Sequence, residues 1–244
     1  MAGKGTCPFC LAENVKLTVE HVLPESWYPD GHPPSKMLTV PACGPCNAAH
    51  DKFEKKLFLP FALSLPDDPR VASIVERAMR SADPAAGKSP RDTEHRQARG
   101  ASLMRRTSIL LPDQDIEAIR TPMGRPLAEY VTESGLHVRG TPAVNYGWEN
   151  LEAVAIKFLR GVFFDRTKTP LGTAKPCWAR TFVDVDPQPL VDEWKRLPMC
   201  QTAGEFPFWS ALAIDERGRG AGAMFVLWDH ITLFASNLPR RADK

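Results

Sequence analysis

The chain has 244 residues, 31 Lys and Arg against 29 Asp and Glu, a formal net charge of +2, and 43% hydrophobic residues. Such a length allows one large or two modest domains, and the composition is that of a soluble globular protein. No run approaches the roughly 18–20 apolar residues that would span a bilayer. The opening Met1–Thr6 lacks an apolar signal core, so the six cysteines are expected to be thiols in a reducing cytoplasm, with zinc among their partners. A net charge near zero means that electrostatics depend on where the charge lies.

Three short pieces stand out between residues 7 and 54: Cys7-Pro8-Phe9-Cys10, Glu20-His21-Val22-Leu23-Pro24, and Cys43-Gly44-Pro45-Cys46-Asn47-Ala48-Ala49-His50-Asp51. Two Cys-x-x-Cys pairs suit a closed tetrahedral Zn²⁺ site made of Cys7, Cys10, Cys43 and Cys46. Between them, Lys16–Leu23 alternates as a strand, and 27–35 is a Pro- and Gly-rich loop containing His32. Residues 38–41 lead into the second pair. A helix is expected over Asn47–Leu59, stopping near Pro60. On such a helix Asn47, His50 and Asp51 share a face. Glu20 and His21 are neighbours on a strand and point to opposite faces unless the strand ends or twists there. Alone, Asn47 would read as a helix N-cap, His50 and Asp51 as solvated residues, and Glu20-His21 as an exposed strand end.

The combined pattern, Cys-x-x-Cys, then Glu-His-x-x-Pro, then Val-Pro-Ala-Cys-x-x-Cys-Asn, resembles the HNH endonucleases over roughly the first fifth to quarter of the chain. The resemblance implies a zinc-stapled ββα-metal finger with His21 as general base and Asn47 as a metal ligand. It also implies Glu20 as the acidic residue beside the base. No Asn stands near Met37–Thr39, where the family has a middle Asn that braces the loop carrying the base. The chemistry fits a single cation: a neutral imidazole takes a proton near pH 7, and a divalent ion stabilises charge on the phosphate. Carboxylate and amide oxygens favour Mg²⁺ or Mn²⁺, with His50 and Asp51 as additional candidate ligands.

Further on, Arg70–Ser81 carries an apolar stripe at helical spacing. The most basic stretch follows, with Arg91, Arg96, Arg99, Arg105 and Arg106 as candidate phosphate contacts or a solvated helix face. A helix start is expected at Pro112–Ile119, with Asp113 as cap. Leu151, Val154, Ala155, Phe158, Leu159 and Val162 define a strongly amphipathic helix over Glu149–Phe164, with Lys157 and Arg160 off the stripe. A strand at Thr181–Val185, a helix at Leu190–Leu197 and a meander (206–214, 223–228, 230–236) complete the chain, the sheet packing on the 149–164 helix. Cys177 and Cys200 lack metal spacing, and His95, His137 and His230 are isolated.

The expectation is therefore an α+β protein in three parts. They are an HNH ββα-metal finger over 1–60, a helical basic connection over 61–121, and a C-terminal α+β unit with an antiparallel meander over 122–244. The expected function is endonucleolytic cleavage of DNA with structural Zn²⁺ and catalytic Mg²⁺ or Mn²⁺. The C-terminal unit would serve a homodimer or a protein partner, and no membrane partner is expected. Two alternatives are a zinc finger that binds nucleic acid without cutting it and an RNA-directed nuclease using the same site.

Overall fold

The computed structural model describes residues 3–31, 37–63, 65, 68–110, 128–131, 137–144, 148–172, 178–183, 188–196, 200–215 and 220–237. The expected helix at 112–119, His32 and Cys177 lie outside them. The chain is α+β, and it forms two compact units, one of residues 1–55 with 149–244 and the other of 56–148. Among the described residues no helix is long and apolar enough to cross a membrane.

The first unit begins with an antiparallel three-stranded sheet of β1 (Lys4–Gly5), β2 (Val15–His21) and β3 (Thr39–Cys43), in that order. The register pairs Leu17 with Cys43, Glu20 with Val40 and His21 with Thr39. Helix α1 (Gly44–Leu63) follows β3 without a break. It starts inside the second cysteine pair because Pro45 falls in the first turn, where a missing N–H costs nothing. It also runs through Pro60 instead of stopping there. The lost hydrogen bond and the ring clash are offset by burial of Leu57, Leu59, Pro60, Phe61 and Ala62 around the kinking residue.

In the second unit, α2 (Ala72–Ala82) and α3 (Pro90–Arg106) pack together, and β4 (Thr107–Leu110), β5 (Ala128–Val131) and β6 (His137–Val144) form a sheet in the order β4-β6-β5. Ile74 and Ala78 are the buried face of α2. At Gly100 of α3 an added Cβ would lie 3.2 Å from the Ala82 carbonyl oxygen, so the helices approach closely there.

The first unit resumes with α4 (Trp148–Thr167), β7 (Trp178–Val183), α5 (Gln188–Lys195), β8 (Cys200–Glu205), β9 (Phe208–Ile214), β10 (Ala221–Leu227) and β11 (Ile231–Ser236). The five strands make one antiparallel sheet, β7-β11-β10-β9-β8. The meander is therefore present, and β8 adds an edge strand not expected from the sequence. Gly204 (φ 92°) is required at the end of that edge, because a Cβ there would meet the Phe208 carbonyl oxygen at 2.3 Å.

The sheet packs on α4 as expected, through Phe158 against Phe208 and Phe225 at ring-centroid distances of 5.4 and 5.5 Å. Trp27 joins the same core. It lies in a 3₁₀ turn just after β2, is fully buried, and packs against Trp228 at 5.5 Å and Phe158 at 6.3 Å. The Trp228 Nε1–H donates to the Trp27 carbonyl over 2.8 Å. These contacts are why 149–244 forms one unit with 1–55. The compact units thus divide differently from boundaries at 60 and 121.

Candidate functional site

Four sulfurs come together at one end of the small sheet. The Sγ atoms of Cys7, Cys10, Cys43 and Cys46 all lie within 4.8 Å of one another. Cys7 and Cys10 come from a turn closed by the Leu11 N–H donating to the Cys7 carbonyl over 2.9 Å. Cys43 ends β3, and Cys46 lies in the first turn of α1, where free N–H groups and the helix dipole favour a thiolate. Burial works against charge on Cys7, but the backbone N–H groups of Cys43, Cys10 and Phe9 outweigh it and bring its pKa down to about 7. Burial, with the neighbouring sulfurs, pushes Cys46 well up. Four sulfurs this close could hold a metal ion, and a closed set of four cysteines fits structural Zn²⁺.

A second polar cluster lies where β2 faces α1. Asn47 Nδ2 donates to the Val19 carbonyl over 3.1 Å and to Thr18 Oγ1 over 3.3 Å, so the helix braces the strand two residues before His21. One turn on, His50 Nδ1 and Glu20 Oε1 are 3.2 Å apart, and the His50 ring lies edge-on to Phe9 of the first knuckle at 4.6 Å. Glu20 is 5% exposed. Its neighbour His21 is half-buried on the opposite face of the strand, and its Nδ1 is sealed from solvent with no partner among the described residues.

Lys157, expected off the apolar stripe, is nonetheless buried: it is 2% exposed. Although it flanks the apolar stripe of α4, its ammonium reaches into the cluster. It lies 2.7 Å from Glu20 Oε1, donates to the His21 carbonyl over 2.6 Å, and pairs with Glu54. Burying an ammonium is tolerable only with such complete pairing. Arg160, one turn further, donates to the Phe9 carbonyl over 2.6 Å, and Gly161 admits Val22, whose methyl would lie 2.7 Å from an added Cβ. Burial pushes the Glu20 carboxyl up, but the bond to His50 and the Lys157 charge outweigh it and hold it below the usual carboxylate range. For Glu54 burial wins over Lys157, and its carboxyl is raised.

These contacts separate the expected metal ligands. Glu20 is bonded to Lys157 and His50, the Asn47 amide is turned to the strand, and Asp51 is exposed and paired with Lys55 at 2.7 Å. As these side chains stand, Glu20, Asn47, His50 and Asp51 do not form one shell around a divalent ion. Sequence reading missed Glu54, although it lies seven residues after Asn47, on the same helical face.

The basic segment is divided as well. Arg96 pairs with Asp92 at 3.0 Å and donates to the Arg80 carbonyl, while Arg99 donates to the Ser81 carbonyl over 3.2 Å. Both close the open C-terminal carbonyls of α2. Arg91 and Arg105 are exposed on α3, and the Arg106 side chain lies outside the described set.

A cleft of about 650 Å³ opens in the first unit, lined by Thr39 (the cross-strand partner of His21), Tyr28, Arg166, Lys168 and the β8–β9 turn. The exposed Arg166 and Lys168 on its rim were not singled out from the sequence. In comparisons with family models, curated proteins and solved structures, the chain matches none.

Proposed function

We propose that the chain is a zinc-stapled ββα endonuclease of HNH type that hydrolyses phosphodiester bonds in DNA. The observation that carries this reading is the convergence, beside a four-sulfur cluster, of the end of β2 with the first turns of α1. Glu20 meets His50 there, and Asn47 braces the strand that ends in His21. In this reading His21 takes the proton of the attacking water, a task suited to a neutral imidazole. Asn47 supplies, from the helix, the brace that an Asn near residues 37–39 would otherwise give. Arg166 and Lys168 beside the cleft would hold phosphates, and Arg91 and Arg105 of the second unit are separate candidate phosphate contacts.

The second reading, a nucleic-acid-binding finger without cleavage, is favoured by Lys157, whose ammonium stands among the carboxylates that would hold a catalytic Mg²⁺ or Mn²⁺. A nicking assay on supercoiled plasmid, with a single-stranded RNA arm, separates the two. Cleavage that falls about 10²- to 10⁴-fold in His21→Ala, at unchanged zinc content and plasmid binding, supports the hydrolase. Plasmid binding without nicking by the wild type assigns the chain to the second reading, and cleavage confined to the RNA arm changes the substrate.

A further inference from the structure

The ammonium of Lys157 has three hydrogens, and the structure offers them three acceptors: Glu20 Oε1 at 2.7 Å, the His21 carbonyl at 2.6 Å, and Glu54 Oε1. The Glu20 oxygen that receives Lys157 is also the one 3.2 Å from His50 Nδ1, so both of its acceptor sites are occupied. Two carboxylates and a main-chain carbonyl are the oxygen donors that would surround a hard divalent cation. Here they surround a side chain that is 2% exposed. No water-filled route to the nitrogen is needed, because the charge arrives on α4, fixed by Arg160 on the Phe9 carbonyl and by Gly161 against Val22.

We infer that Lys157 is the resident cation of this site, filling the place that the sequence pattern assigns to Mg²⁺ or Mn²⁺. Glu20 is then a positioning residue, and no divalent ion is held by it. Its carboxylate orients His50 through Nδ1, while Lys157 fixes the His21 main chain and Glu54 completes the charge balance. The Lys157 side chain is 1% exposed and its ammonium is bonded within the cluster, so its role is to hold the site rather than to polarise a phosphate. This inference concerns the site on which the nuclease reading rests and, by leaving no divalent ion at Glu20, counts toward the non-cleaving reading. It makes a claim about ion binding that is read without any cleavage, so the two fail separately.

The test is titration of Mn²⁺ into the zinc-loaded full chain, followed by electron paramagnetic resonance of the free ion. Bound manganese is counted as the difference between wild type and Glu20→Gln. The inference predicts a difference of zero, and one Mn²⁺ per chain bound by the wild type and lost in Glu20→Gln would overturn it. Lys157→Met, if it folds as judged by circular dichroism and zinc content, should gain one Mn²⁺ that Lys157→Met/Glu20→Gln loses. A folded Lys157→Met that gains none also overturns the inference, since the donors then do not make an ion's place. Where Lys157→Met does not fold, the comparison of wild type with Glu20→Gln decides.

Discussion

The sulfur cluster and the carboxylate cluster both use helix α1, yet they balance charge in opposite ways. The first gathers Cys7, Cys10, Cys43 and Cys46, four groups that become anions when they bind a metal, a set that could hold an added cation. The second gathers Glu20, Glu54 and His50 around an ammonium that the chain provides itself. A metal requirement therefore follows from the balance of charge within a cluster. The presence of residue types that can act as ligands is not enough. Metal removal should act directly on the first cluster and reach the second only through the shared fold of residues 1–55.

The largest expected effect is on the first. Structural zinc contributes apparent binding energies of about 10–16 kcal/mol in small fingers, so Cys43→Ser, or a strong chelator, should remove the ion and the cooperative unfolding of residues 1–55. Calorimetry with parallel zinc analysis reads this, and a zinc-free chain with an unchanged transition would break the comparison at its root.

Next come the ties that bind the finger to α4 and the sheet. Trp27→Ala removes a fully buried indole from between Trp228 and Phe158, and buried aromatic truncations cost about 3–5 kcal/mol. Denaturant unfolding should show a loss of that size. Lys157→Met should be comparable, about 3–5 kcal/mol, because it strands two buried carboxylates. If it costs nothing, Lys157 is not the counter-charge described.

The carboxylates themselves sharpen the contrast through pH. Folding lowers the Glu20 pKa, so its contribution is fully present above its ordinary value near about 4.3 and is lost as pH falls through the lower folded value. Folding raises the Glu54 pKa, so the cost of ionising it appears as pH rises through and above that range. Glu20→Gln should thus flatten the acid loss of stability and weaken the fold at neutral pH. Glu54→Gln should be the milder change at neutral pH. Thermal melts across the acid range test the pair, and identical profiles for the two variants would contradict it.

The smallest effects concern α3. Arg99→Ala should destabilise the α2–α3 pair by about 1 kcal/mol, the worth of one hydrogen bond. Arg91→Ala with Arg105→Ala should leave stability alone and shallow the salt dependence of nucleic-acid binding. A salt slope that responds to Arg99 and not to Arg91 or Arg105 would reverse these roles.

Much of this was legible in the sequence because local rules governed it. Cysteine spacing foretold the sulfur cluster, and apolar periodicity foretold α2, α4, α5 and the meander. Other features depended on contacts across long separations, which no local pattern encodes. Trp27 sits in a Pro- and Gly-rich loop sequence, and Phe158 and Trp228, more than a hundred positions later, make it core. Lys157 is one charged position beside an apolar stripe, and its burial follows from carboxylates more than a hundred residues away. The continuation of α1 past Pro60 was hidden likewise, since burial around the proline outweighs its local penalty.

The central claim, one cation added and one built in, is tested most directly by the intact mass of the native full chain equilibrated with Zn²⁺ and an excess of Mn²⁺ or Mg²⁺. The account predicts a single species carrying one zinc and no second metal, with Glu20→Gln giving the same stoichiometry. A wild-type species with zinc plus one further divalent ion, reduced to zinc alone in Glu20→Gln, would contradict it.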